Sequence, residues 1–220
     1  MIIKKSIVSL LLLLVMLAVE ASHTLHDYVE HDNLEMAAQL LKQGGEVNKP
    51  NRYDERPLHL ARSPEMIELL VKSGAEINIQ NHFGDSPLLQ AVYRGHHGLV
   101  ELLIKHGADL NHKNRFGDTP LREAVKRDLV VMAKLLIERG SEVNIQGKGG
   151  DTVLHTAVRR GNRVMVRVLV QAGANVELKN DDDHSALDLA IGRAMKGELN
   201  PAERHGSCGA SGCYWLCLVC

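Results

Sequence analysis

Apolar positions along the chain fall into three regimes. Ile7 to Val19 is apolar except for Ser9, and it follows Lys4 and Lys5. From about residue 24 to about residue 195, short apolar clusters alternate with polar turns. Within a cluster the spacing is helical: Leu99, Leu102, Leu103 and Ile104 fall three and four apart, as one face of a helix requires. From Gly197 this spacing is lost. The central region therefore predicts short helices in pairs. Ser86 and Thr119 suit N-caps, and Pro87 and Pro120 suit the first helical turn. Tyr93-Arg94-Gly95-His96-His97-Gly98 reads as the polar turn inside a pair, and Gly107 as the left-handed residue that ends its second helix.

The pairs are copies of one unit. Gly84-Asp85-Ser86-Pro87-Leu88, Gly117-Asp118-Thr119-Pro120-Leu121 and Gly150-Asp151-Thr152-Val153-Leu154 follow one another at steps of 33 residues, and Asp183-His184-Ser185-Ala186-Leu187 is a decayed fourth copy. Gly74-Ala75, Gly107-Ala108, Gly140-Ser141 and Gly173-Ala174 keep the same step, as do Asn78, Asn111 and Asn144, with Glu177 in the fourth place. Three markers in one register identify an internal repeat.

On these residues the region 24–195 resembles the ankyrin-repeat family, of the exported bacterial type. The resemblance implies an all-α fold, an ankyrin-repeat solenoid of stacked helix-turn-helix units with hairpin loops. It divides the chain into a signal peptide 1–21, an N-terminal capping helix pair 22–51, a short repeat 52–81, repeats 82–114, 115–147 and 148–180, a degenerate capping repeat 181–199, and a Cys-rich tail 200–220. The unit 52–81 is three residues short, with Ser63 as expected cap and Pro64 in the first helical position. The family's Thr-Pro-Leu-His tetrapeptide is never complete: Arg56 lacks the hydroxyl, Leu89 and Arg122 replace His, Val153 replaces Pro, and only Thr152 and His155 keep the Thr–His pair. These departures predict an array less stable than a consensus one.

Composition narrows the function. Aromatic residues make up 3% of the chain, so the core must be aliphatic. A net charge of −1 gives no global field to draw in nucleic acid, and none is expected as a partner. There is no Gly-x-Ser-x-Gly, phosphate-loop or His-Glu-x-x-His motif, and Asp85, Asp118 and Asp151 recur with the period as framework residues. The expectation is a non-enzymatic, monomeric protein-binding module with no cofactor and no metal. Such an array buries its apolar faces between neighbours and presents its variable positions outward.

Two rows of outward positions are candidate partner-binding residues. At the hairpin tips the residue before the repeat Gly reads Tyr53, Phe83, Phe116, Gly149 and Asp182, and the one before that Arg52, His82, Arg115, Lys148 and Asp181. Cation-plus-aromatic pairs at one period suit a protein-binding edge; aromatics packed on a neighbouring loop are the plainer reading. The second row closes the first helix of each pair: Tyr93, Lys126 and Arg159, then Arg94, Arg127 and Arg160, which is five cations and no acid. In the family this stretch faces the concave groove, which implies a site for an acidic segment of a partner; a solvated basic face is the alternative.

The two ends carry the localisation. Lys4 and Lys5, the apolar run and Val19-Glu20-Ala21 have the form of a secretory signal peptide cut after Ala21 or close by, hence a periplasmic or secreted protein, with an uncleaved membrane anchor as the alternative. The tail holds all the cysteines, Cys208, Cys213, Cys217 and Cys220. They suit two disulfides after export. Cys217-Leu218-Val219-Cys220 also looks like a prenylation box, which implies the alternative of a host-targeted, membrane-anchored effector.

Overall fold

The structure, a computed structural model, describes residues 24–193. They form eleven α-helices: α1 (Leu25–Glu30), α2 (Leu34–Lys42), α3 (Pro57–Leu60), α4 (Pro64–Lys72), α5 (Pro87–Arg94), α6 (His97–Lys105), α7 (Pro120–Lys126), α8 (Val130–Glu138), α9 (Val153–Arg160), α10 (Arg163–Gln171) and α11 (Ala186–Arg193). Among the described residues there is no strand, only one isolated antiparallel bridge between Lys179 and Ser185. The signal-peptide segment, and the tail with its four cysteines, lie outside the described residues.

Local chemistry sets the helix ends. Ser63, Ser86 and Thr119 each accept a hydrogen bond from the backbone amide three residues on, at 3.2 Å, and proline follows each as the first helical residue. The turn within a pair is shorter than the sequence suggests. Tyr93 and Arg94 finish α5, His97 and Gly98 begin α6, and only Gly95 and His96 lie between them. Gly95 makes this possible: at φ 74° it turns the chain in one left-handed step.

Helices α1, α3, α5, α7, α9 and α11 pack side by side in one row; α2, α4 and α6, and likewise α8 and α10, pack in a second. The period governs what is buried. Leu58, Leu88, Leu121 and Leu154 fill one position, Ala91, Ala124 and Ala157 another, and Leu70, Leu103, Leu136 and Leu169 a third. Fully burying each leucine contributes about 1.5–3 kcal/mol. The alanines let the first-row helices come close together.

Polar side chains bolt unit to unit. Asn48, Asn78 and Asn144 donate from Nδ2 to the carbonyls of Gly74, Gly107 and Gly173 in the next unit. The same three asparagines, and Asn111, accept from an amide of that unit at 2.7–3.0 Å. Asn48 shows that the capping pair shares the bolt of the full repeats, one step earlier than the three asparagines legible in the sequence.

A second bolt runs from the first helix. His59 Nε2 lies 3.0 Å from the carbonyl of Asp85, and His155 Nε2 lies 3.0 Å from that of His184. The amides of Arg56 and Thr152 donate to the Nδ1 atoms, which leaves the proton on Nε2 and both rings neutral. In the second of the two units between them Arg122 takes over. Its guanidinium is buried and donates to the carbonyls of Asp151 and Ile145 and toward the Thr156 hydroxyl. The larger head needs room, and Gly147 supplies it: a Cβ there would stand 2.8 Å from the Arg122 Cζ. Every other unit has asparagine at this place, namely Asn51, Asn81, Asn114 and Asn180. Leu89 cannot make the bolt; within its own unit His112 Nε2 lies 2.9 Å from the Gly84 carbonyl.

Arg122 and Gly147 should therefore behave as one element. Gly147→Asn, although it restores the unit pattern, is expected to displace the guanidinium and cost about 1–3 kcal/mol of stability. Adding Arg122→His should recover most of that loss in urea unfolding; two additive losses would disprove the coupling.

Burial holds the His59 imidazole below its ordinary pKa of 6.5, against smaller raising effects from the Asp85 carbonyl and Glu55. The unfolded chain then binds more protons than the folded one as pH falls below 6.5, so acid destabilises the array through this residue. Unfolding midpoints should fall from about pH 7 to about pH 5, and His59→Gln should flatten that slope. An unchanged slope in the variant would show that His59 is not its source.

Candidate functional site

The tips are built outward from their bases. The amides of Asn81, Asn114 and Gly147 donate to the carbonyls of Asp85, Asp118 and Asp151 at 2.8–3.0 Å, which closes each hairpin. Where asparagine is present, its Oδ1 also accepts two amides across the turn: Asn114 takes those of Phe116 and Asp118, both at 2.9 Å. Gly84 and Gly117 are left-handed, at φ 77° and 78°, and the next loop's backbone amide lies 3.0 Å and 2.8 Å from where their Cβ atoms would be. No larger residue fits between the loops there.

This closure pushes the two residues before the glycine outward. Tyr53, Phe83 and Phe116 are 51%, 48% and 56% exposed. The rings of Phe83 and Phe116 stack with centroids 6.4 Å apart, His82 stands edge-on to Phe83 at 5.6 Å, and the Arg52 guanidinium lies 4.6 Å from the centre of Tyr53. Backbone bonds tie one tip to the next: His82 to the Tyr53 carbonyl (3.3 Å), Arg115 to Phe83 (3.0 Å) and Asp181 to Gly149 (3.0 Å). The tip residues named by the sequence are thus one continuous edge. The aromatics pack on neighbouring loops and still keep about half their surface in solvent.

The second row is organised differently. The Lys126 ammonium lies 2.5 Å from Oδ2 of buried Asp118, and Arg159 grips both oxygens of Asp151. Arg127 donates to Glu123 Oε1 at 2.7 Å and stacks 3.7 Å over the Tyr93 ring. Arg160 is paired with Asp128, which Asn162 also holds at 2.9 Å. Arg94 is half-buried and donates to the His59 carbonyl at 2.9 Å, closing the end of the four-residue helix α3. The unit that is three residues short is thereby completed by the unit after it.

Electrostatics follow these contacts. Hydrogen bonds from Arg160 and then Asn162 hold the Asp128 carboxyl below its usual range, and Asp128 raises Arg160 in turn. Burial alone would raise Asp151, but the bonds from Arg159 and Asn180 outweigh it and leave that carboxyl lowered. Burial lowers Arg94 and Arg122. All five cations of the row therefore have partners in their own chain.

The sequence reading missed these acids because each belongs to another position of the unit. A signal was present: Asp118 to Lys126 and Asp151 to Arg159 are both eight residues, one base-to-end reach along a first helix. Asp85 meets Tyr93 at that distance, and its carboxylate turns instead to Asn114 and Gln90. Among the described residues no group of three or more His, Cys, Asp and Glu could hold a metal ion, and no helix is long and apolar enough to cross a membrane.

The family described as "Ankyrin repeats (3 copies)" matches residues 62–147, and "Ankyrin repeats (many copies)" matches 135–190. The fold is similar to a crystal structure of an ankyrin repeat domain from Acinetobacter baumannii AYE, with a TM-score of 0.71 and 29% identity over 78% of this chain and 92% of that one. No curated protein matches.

Proposed function

The chain belongs to the ankyrin-repeat family, and from that premise we propose that it is a binding module without chemistry of its own, which holds a protein partner along its hairpin tips and the row at the ends of its first helices. Ankyrin repeats generally mediate protein–protein interaction, and their fold is typically non-enzymatic. The observation that carries the reading here is the line of half-exposed aromatics Tyr53, Phe83 and Phe116. An aliphatic array that spends three of its seven aromatic residues on one outer edge supports recognition there, since exposed aromatics anchor interfaces.

The test is capture from extracts of the source organism with the full chain as bait, at low and high salt. Proteins retained by the native chain should be lost with the Tyr53→Ala, Phe83→Ala, Phe116→Ala triple variant, while its free energy of unfolding stays within about 1 kcal/mol of the native value. Unchanged capture would remove the aromatic edge from the function.

We propose further that the protein is exported. Support comes from the lysine-led apolar run 7–19 and the small residues up to Ala21. The intact mass of the native protein decides this. Loss of 1–21 with oxidised cysteines is expected, and a retained leader with a prenyl group on Cys217 would replace export with the membrane-anchored effector.

A further inference from the structure

The two candidate rows differ in one respect that the sequence does not display. Every cation of the first-helix row is engaged within the chain: Lys126 by Asp118, Arg127 by Glu123, Arg159 by Asp151, Arg160 by Asp128, and Arg94 by a backbone carbonyl. The tip cations are not. Arg52, Arg115 and Lys148 are exposed, and among the described residues none has a carboxylate within ion-pair distance. The acids of those hairpins are turned away from the edge. Asp54 pairs with Arg56 at 2.5 Å, Asp85 with Asn114 at 2.8 Å, Asp118 with Lys126, and Asp151 with Arg159.

We infer that the hairpin-tip edge, and not the first-helix row, receives an acidic segment of a partner protein, because of the two rows only the tips carry exposed cations that neither a carboxylate nor a carbonyl of the chain engages, each set beside an aromatic ring or the bare Gly149. This deepens the reading above and rests on it. A partner carboxylate arriving at the first-helix row meets cations that the chain's own acids or, at Arg94, a carbonyl already engage, so it gains little. At the tips it meets Arg52, Arg115 or Lys148 with nothing to displace, and Tyr53 or the Phe83–Phe116 stack lies within reach of an apolar neighbour on the same segment. The fitting partner is an extended segment in which acidic and apolar residues alternate.

The edge also has a direction. It is cationic or aromatic from Arg52 to Lys148 and then turns acidic at Asp181, Asp182 and Asp183. Of these, Asp183 has Lys179 as a partner, at 2.9 Å. The acidic end repels a polyanion that runs the whole edge, and the two phenylalanine rings already stack on each other. Both features favour a short acidic peptide over a nucleic acid strand, which needs open ring faces along a continuous positive track.

The experiment titrates a fluorescent twelve-residue peptide of alternating Glu and Leu into the full chain and follows anisotropy. A Lys–Leu peptide and a twelve-nucleotide oligothymidylate serve as comparisons. The variants are Arg52→Gln, Arg115→Gln, Lys148→Gln at the tips, and Arg127→Gln, Arg160→Gln in the row. The tip variant should weaken the acidic peptide about tenfold and reduce its salt dependence, and the row variant should change it by less than about twofold. Equal or greater loss with the row variant would overturn the inference in favour of the groove. Acidic-peptide binding no tighter than that of the Lys–Leu peptide, or weaker than that of the oligonucleotide, would overturn it as well. These results leave the aromatic-edge reading standing, because that fails only if the alanine triple variant still captures its proteins.

Discussion

The stack depends on hydrogen bonds that cross from each unit to the next. The carbonyl at the foot of a hairpin is paired within its own turn, and in three places it takes a second hydrogen bond from the first helix of the preceding unit. His59 and His155 supply it as neutral rings and Arg122 supplies it as a buried cation, while Leu89 has no donor for the Asp118 carbonyl. The asparagine bolts at the ends of the second helices repeat the same logic. A hydrogen bond of this kind contributes about 0.5–1.5 kcal/mol net, so the bonds together add to the apolar packing that holds each unit to its neighbour.

This constraint decides which polar residues remain for binding. The repeat acids Asp118 and Asp151 sit at the base of the first helices, and each is buried enough to need a cation. Lys126 and Arg159 supply it from eight residues along the same unit. A row that looks like an uncompensated basic field in the sequence is thus largely a set of internal pairs. The tips escape this use. Their backbone is fixed by asparagine, glycine and the next loop's amide, so their side chains do nothing for closure.

The fold was legible because its determinants recur. The period, the caps at Ser63, Ser86 and Thr119, and the hairpin glycines are local residues repeated in register, and they place every full unit. What stayed hidden is pairwise and crosses units. Arg122 reads as a lost histidine until Gly147, a lost asparagine, is found beside it, and two apparent decays become one fitted contact. Arg94 reads as a groove cation, yet it closes α3 because that helix is short. The turn around Gly95 reads as six residues because its polar letters are exposed helix ends. Of the candidate site, positions could be read but charge balance could not, since neutralisation depends on acids at other unit positions.

Stability and the proposed recognition therefore draw on two sets of residues with little overlap. Changing Arg122, Gly147 or His59 disturbs a buried bond between units and is felt by the whole stack. Changing Arg52, Phe83 or Arg115 touches solvent-facing atoms on loops whose shape is set elsewhere. The two phenylalanines still stack on each other, so the edge is stiffened without being buried. A partner that meets pre-ordered rings loses less side-chain entropy on binding than one that must order them. The same hydrogen-bonded closure that builds the array thus also holds its outer aromatics in place, and it does so without using up their surface.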